Sequence, residues 1–166
     1  MEFNDIYDKD RNLTGRVHRR GSRWKAGEYG LVVCVWVYDG KGNILLTRRA
    51  KGKSFAGTWE NSGGAAQAGE NSIRAIVREL EEETGFRSEN IEWLVSINSW
   101  PAFTNEVVEI FVARDLIPSK QKFDEEESIE LEEYTIEELK GKVFAGEIKD
   151  SKTVAGILAY AVKYGN

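Results

Sequence analysis

The sequence predicts an α/β fold, because β-rich and helical segments alternate along a chain with enough apolar residues for one core. Of the 166 residues, 41% are hydrophobic, which suits a single domain spanning residues 1–166. The clearest patterns follow the order β, β, α, β, β, α. No internal repeat or low-complexity linker divides them.

Each segment has a local reason for its assignment. Residues 8–12 read as a turn between two short strands, and residues 39–43 join β-rich residues 30–38 to residues 44–48 as a hairpin. Two further strands are predicted at 93–99 and 106–113, separated by a turn at Pro101. A short helix follows near 136–140. A last helix covers 151–164, with an inner stripe of Val154, Ile157, Leu158 and Ala161.

The helix predicted over residues 71–84 carries the chemistry. It contains no Gly or Pro, and Gly85 supplies a left-handed C-terminal position. The predicted buried face comprises Ile73, Ile76, Val77 and Leu80. Glu79, Glu82 and Glu83 stand at i, i+3 and i+4, so their carboxylates gather on the flank beside that face. Glu81 points to the opposite side and is expected to be solvated.

Three neighbouring carboxylates destabilise a helix unless a cation neutralises them. Oxygen ligands alone select a hard ion, so the sequence predicts Mg²⁺ first and Mn²⁺ second.

Charge and composition limit the kinds of molecule that this protein is expected to bind and its expected location. The chain has 28 acids against 23 bases, a net charge of −5, which argues against nucleic acids and anionic membranes. Cys34 is the single cysteine, so no internal disulfide is possible, and the first residues lack a signal-peptide pattern. The longest apolar run, residues 31–38, is too short to cross a bilayer. A cytoplasmic location is expected.

The spacing of residues 64–86 resembles the signature of the Nudix family. Gly64 is followed after five residues by Glu70, and after seven more by Arg78-Glu79-Leu80, Glu82-Glu83 and Gly85-Phe86. Phe86 departs from the usual aliphatic residue. The weaker likeness of the flanking segments extends over about residues 29–139. It implies a Nudix-type α/β/α sandwich with a mixed β-sheet.

The resemblance also implies a function. Nudix proteins are mostly hydrolases of a nucleoside diphosphate linked to another group, and some form homodimers. By resemblance, Glu79, Glu82 and Glu83 bind the metal with the backbone carbonyl of Gly64, while Glu70 and Arg78 orient them. In several members a loop Glu takes the proton from water. Glu127 is favoured here over its neighbours Glu125 and Glu126, and an acid of the helix is the alternative.

Two arginines and three aromatic residues are candidates for binding substrate. Arg48 and Arg49 lie at the end of a strand, and their guanidinium groups suit phosphate oxygens. The alternative is that both are ordinary surface charges. Trp59, like Trp100 and Phe103, can stack on a base or belong to the core.

Two other classes of function remain open. Segments around residues 12–18, 35–37 and 58–62 resemble isopentenyl diphosphate isomerase, a Nudix-fold enzyme that needs a catalytic Cys and several His. Here the corresponding region is Gly63-Gly64-Ala65-Ala66, the chain has only His18, and Cys34 is expected to be an inert core thiol. The other alternative is a catalytically silent nucleotide sensor.

Overall fold

The structure is a computed structural model that describes residues 1–49, 55–99, 102, 107–121 and 130–165. Its three helices are α1 (Ser72–Thr84), α2 (Ile136–Phe144) and α3 (Ser151–Tyr164). The strands within the described residues are β1 (Phe3–Tyr7), β2 (Leu13–Arg19), β3 (Val32–Tyr38), β4 (Asn43–Arg48), β5 (Trp59–Glu60), β6 (Ser62–Ala65), β7 (Phe86–Arg87), β8 (Asn90–Asn98), β9 (Val107–Arg114), β10 (Ile117–Pro118) and β11 (Glu130–Thr135).

The central sheet is mixed, as predicted. Its strand order is β11-β4-β3-β9-β8, with β5 added to β4 and β6 added to β3. The β3–β9 pair is parallel, while the other pairs in this sheet are antiparallel. The predicted hairpin joins β3 to β4, and the Asp39 carboxylate fixes its turn by accepting the N–H groups of Lys41 at 2.6 Å and Asn43 at 3.0 Å.

Strand β3 divides the core into two halves, because successive side chains point to opposite faces of the sheet. Val33, Val35 and Val37 pack with Ile76 and Leu80 of α1. Cys34 and Trp36 pack on the other side, where α2 and α3 contribute Leu139, Ile157 and Tyr160. Both faces of β3 are therefore covered, and the α/β/α sandwich is confirmed.

Helix α1 begins and ends close to the predicted points but is rotated. Asn71 caps it by accepting the Arg74 N–H at 2.9 Å, and Gly85 ends it in the left-handed region with φ 72°. Ile73, predicted to be buried, is 45% exposed, while Ala75 is fully buried. The reason is close packing on β6, whose two glycines have no side chains to hold the helix away.

Helix α3 is also rotated relative to its predicted inner stripe. Its buried residues are Thr153, Gly156, Ile157 and Tyr160. A Cβ on Gly156 would lie 1.7 Å from Nε1 of Trp36, so the bulky indole fits only beneath a glycine. Val154 of the predicted stripe is partly buried and packs against this core, whereas Leu158 and Ala161 are only partly buried.

Sequence patterns missed β5, β6, β7, β10 and β11. Four of these strands have two to four residues, and β11 is mostly exposed, so none carries a strong apolar alternation. The N-terminal strands were predicted. They form an antiparallel hairpin, β1–β2, outside the central sheet. No helix in the described part of the chain is both long and apolar enough to span a membrane.

Candidate active site

Arg78 organises the predicted carboxylates. Its Nη1 donates to Glu79 Oε1 at 2.9 Å and to Glu82 Oε2 at 3.0 Å. Its Nε and Nη2 donate to the two carboxylate oxygens of Glu70 at 2.8 and 2.9 Å. Nη2 also reaches the carbonyl oxygen of Ala65 at 3.1 Å. One guanidinium thus holds three acids and ties α1 to β6.

The pKa values of Arg78 and Glu70 follow from this pairing. Burial opposes the charged guanidinium, but the carboxylates of Glu70, Glu79 and Glu82 prevail and raise the pKa of Arg78. Burial likewise acts to raise the pKa of Glu70. The bonds from Arg78 and from the Gln67 N–H, at 2.8 Å, outweigh it, so the pKa of Glu70 is lowered. Both groups remain charged at neutral pH.

Two glycines of β6 form the backbone wall of the site. The Gly63 N–H donates to Glu83 Oε2 at 3.2 Å. A Cβ on Gly64 would lie 2.3 Å from Glu79 Oε1, and one on Gly63 would lie 2.2 Å from the Val33 carbonyl oxygen. The Glu79 carboxylate therefore fits against β6 only because Gly64 lacks a Cβ, and β6 pairs closely with β3 only because Gly63 lacks one.

The carboxyl groups of Glu79 and Glu83 lie in a poorly solvated environment between α1 and β6. Burial, followed by the negative charge of Glu79, raises the pKa of Glu83 to about 8, with Ser62 and Gly63 partly offsetting this. Burial also raises the pKa of Glu79, although the Arg78 charge acts in the opposite direction. Two half-buried carboxylates that repel each other are unfavourable together unless a proton or a cation intervenes.

This donor set suits a hard divalent cation. Carboxylate oxygens are the ligands that Mg²⁺ and Mn²⁺ prefer, and a cation would relieve the repulsion between Glu79 and Glu83. Across the described residues, no three His, Cys, Asp or Glu side chains converge closely enough to enclose a metal ion on their own. A divalent ion here would therefore need further oxygens from backbone, water or substrate. The assignment of Gly64, Glu79, Glu82 and Glu83 as metal ligands stays a prediction.

The candidates for substrate binding have partners within the protein. Arg48 donates to Glu130 at 2.9 Å and to the Gly57 carbonyl at 3.2 Å, and its guanidinium carbon lies 5.5 Å from the Trp59 ring centroid. Arg49 donates to both oxygens of Glu60, at 3.0 and 3.2 Å.

Trp59 packs edge-on against Tyr134 at 5.8 Å between centroids and borders the core. These contacts give each of the three residues a structural role. Their binding of substrate stays a prediction.

The expectation for Glu81 was wrong. Its Oε1 accepts a hydrogen bond from the Ser119 hydroxyl at 2.6 Å and lies 2.7 Å from Arg87 Nη2. Its side chain is 15% exposed. The residue ties α1 to the small β7–β10 sheet, because the chain after Gly85 turns back along that side of the helix.

Cys34 lies in the core, as expected. Its side chain is 1% exposed, and burial raises its pKa to about 11. Glu125, Glu126 and Glu127, together with Trp100 and Phe103, lie outside the described residues.

Sequence reasoning missed two contributions to the site. The Gly63 N–H and the Ala65 carbonyl bind Glu83 and Arg78 through the backbone, so their side chains carry no signal for this role. They are placed by the antiparallel register of β6 on β3, in which Gly63 lies opposite Cys34. The consecutive glycines Gly63 and Gly64, ahead of an acidic helix, were the only sequence feature that indicated a close backbone contact here.

Comparisons with known proteins identify the domain. The family model for the NUDIX domain matches residues 28–155. An ADP-ribose pyrophosphatase of Bacillus subtilis (strain 168) is 28% identical over 162 residues, covering 96% of this chain and 83% of that protein. An ADP-ribose pyrophosphatase of Mycobacterium tuberculosis is 31% identical over 137 residues, covering 80% and 66%.

A solved structure described as an ADP compounds hydrolase superposes with a TM-score of 0.71 at 18% identity, covering 99% of this chain and 87% of that one. At that identity the likeness concerns the fold.

The chain belongs to the Nudix family. Within that family it is a pyrophosphohydrolase. Nudix enzymes generally use divalent metal ions such as Mg²⁺ or Mn²⁺.

Proposed function

We propose that this protein is a Mg²⁺-dependent hydrolase of a nucleoside diphosphate derivative of the ADP-ribose type. The observation that carries the proposal is the half-buried Glu79–Glu83 pair against Gly63 and Gly64, in which Arg78 holds Glu79 and the Gly63 N–H holds Glu83. The similarity to two proteins named ADP-ribose pyrophosphatase supports the substrate class. Arg48, Arg49 and Trp59 are retained as candidate substrate contacts, and a homodimer remains a prediction.

The proposed reaction requires little covalent chemistry from the protein. A divalent ion would screen the negative diphosphate oxygens and lower the pKa of a bound water. Glu79, Glu82 and Glu83 are the proposed ligands. Arg78 keeps the first two at fixed angles, and the Gly63 N–H fixes the carboxylate of Glu83. Glu127 is the proposed general base, with Glu125 and Glu126 as its neighbours.

The environment of Cys34 argues against the isomerase alternative. A thiol that exchanges protons with carbon must reach the substrate as a thiolate, but this one is buried with its pKa raised to about 11. No described feature favours the silent-sensor alternative, since every acid of the family signature is present.

The test is a panel of nucleotides and nucleotide sugars assayed with Mg²⁺ and with Mn²⁺ in ¹⁸O-labelled water. We expect cleavage of ADP-ribose or a related compound, with the label on one phosphate product. Glu83→Gln should lower kcat at least about 100-fold, because it removes a charged hard ligand of similar shape. Glu89→Gln, at an exposed site after α1, is the matched control and should keep full activity. Metal-dependent turnover without label would contradict hydrolysis.

A further inference from the structure

A cavity of about 200 Å³ lies between the N-terminal hairpin and the Nudix domain. On the hairpin side the cavity is lined by His18 of β2 and by Arg20 and Trp24 of the loop that follows it. On the domain side it is lined by Leu31, Val32 and Ala65. The three hairpin-side residues precede residue 28, where the match to the family model begins. The cavity is therefore built partly from a segment outside the shared domain.

The aromatic wall of the cavity is fixed in place. The His18 and Trp24 rings stack at 3.7 Å between centroids with 11° between their planes. His18 is 6% exposed, while Trp24 remains 37% exposed. The indole lies against Gly30, where a Cβ would come within 2.9 Å of its Cη2 atom. A packed and partly exposed indole beside hydrogen-bonding side chains is a suitable surface for a planar heteroaromatic ring.

The cavity adjoins the carboxylate site through β6. Ala65 lines the cavity, and its carbonyl oxygen accepts the bond from Arg78. Arg20 also lies on the cavity wall, and its positive charge acts, after the stronger effects of burial and Arg78, to lower the pKa of Glu79. A ligand in the cavity would therefore lie beside Arg20, which is ion-paired with Glu2, and would adjoin the Arg78 guanidinium through Ala65 of β6.

Hydrogen bonds dock the hairpin onto the segment that leads into α1. The Asn4 side chain donates to the Ala66 carbonyl at 2.7 Å. The Ala68 N–H donates to the Phe3 carbonyl at 2.8 Å, and the Gly69 N–H donates to Asp5 at 2.7 Å. These bonds hold the cavity at a fixed distance from the acids, as a two-part binding site requires.

We propose that this cavity binds the nucleobase of the substrate, with the base on Trp24 and the diphosphate passing Arg20 toward Glu79. The assignment rests on the proposed function, since it supposes a nucleoside diphosphate derivative as substrate. It gives the hairpin and the loop after β2 the role of base recognition, while α1 and β6 carry out the hydrolysis.

The experiment uses the full chain with two cavity variants and a control. Trp24→Leu removes the stacking surface, and Val32→Phe fills the cavity while leaving that surface in place. Trp93→Leu is the matched control, since this indole on β8 is 53% exposed and bonds Glu109 away from the cavity. Thermal unfolding of each variant checks that it folds. The measurements are KM and kcat for ADP-ribose, and the Kd of AMP in the absence of divalent ions.

We expect both cavity variants to raise KM and the AMP Kd about 5- to 100-fold, as loss of one base–aromatic stack does, with kcat changed less than about threefold. The control should match the wild type. AMP that fails to bind the wild type, or binds all variants equally, overturns the cavity assignment. A wild type that binds AMP through the cavity but cleaves no nucleotide would instead refute the proposed reaction and leave the cavity standing.

Discussion

At the scale of single residues, Glu83 shows the strongest conflict between burial and charge. Its carboxyl has a pKa raised to about 8 by burial and by the neighbouring charge of Glu79. In an unfolded chain a glutamic acid titrates near 4.3. Between these two values the folded protein binds a proton that the unfolded chain has lost, so folding is favoured at the lower pH.

The stability of the metal-free protein should therefore fall as pH rises from about 5 to 8, through the raised pKa of Glu83. Below about pH 4 this contribution is fully present, because both states are protonated. Urea unfolding in EDTA at several pH values measures it, and Glu83→Gln should flatten the decline. A wild-type curve and a variant curve with equal slopes over that range would show that Glu83 is not the titrating group.

Cys34 provides a second test at this scale. Because its thiol is buried among core side chains and has a raised pKa, Cys34→Ala should cost about 1 kcal/mol of stability, as a small core truncation does. Turnover per folded molecule should be unchanged, measured as kcat on a sample corrected for its folded fraction. Loss of turnover with folding intact would revive the isomerase alternative.

At the scale of elements, substitutions at two helical glycines distinguish the effect of packing on stability from the effect of helix propensity. Gly156 in α3 lies against Trp36, where a Cβ would meet Nε1 at 1.7 Å. Gly141 in α2 is exposed, and a Cβ there meets nothing within 4 Å. The same substitution should thus have opposite signs at the two positions.

Gly156→Ala should destabilise the protein by about 1–3 kcal/mol, because the added methyl group forces α3 away from Trp36. Gly141→Ala should stabilise it by about 0.5–1 kcal/mol, the usual gain from replacing an exposed helical glycine. Denaturant unfolding of both variants measures the two changes. Stabilisation by Gly156→Ala would mean that α3 does not pack on Trp36 in this way.

At the scale of the whole molecule, metal binding should couple to folding, because the proposed ligands lie on α1 and β6 and are brought together only in the folded chain. Mg²⁺ at about 100 times its Kd should stabilise the protein by about 2.7 kcal/mol. For a chain of this size that corresponds to an increase of roughly 5–10 °C in the unfolding temperature.

Thermal unfolding at pH 8, with and without Mg²⁺, measures this shift. Glu83→Gln should lose most of it, and NaCl at equal ionic strength provides the control for screening. An equal shift from NaCl, or an undiminished shift in the variant, would count against metal binding at this site.

The sequence alone determined those structural features that depend on residues close together in the chain. The extent of α1 follows from its periodicity and from Gly85, and the presence of Arg78, Glu79, Glu82 and Glu83 on one helix follows from their spacing. The β3–β4 hairpin likewise follows from the turn residues between two apolar runs. Local geometry is sufficient in each case, because i, i+3 and i+4 positions share a helix face and turn residues act on their immediate neighbours.

Only the tertiary structure decided the contacts between residues distant in sequence. The rotation of α1 that exposes Ile73, the pairing of Glu81 with Ser119, and the packing of Trp36 on Gly156 depend on how elements approach each other. The register of β6 on β3 places the Gly63 N–H beside Glu83, which is 20 residues away in sequence. The cavity forms where the N-terminal hairpin packs on the rest of the domain. Such contacts depend on backbone groups and on the absence of side chains, which leave no periodic pattern in a sequence.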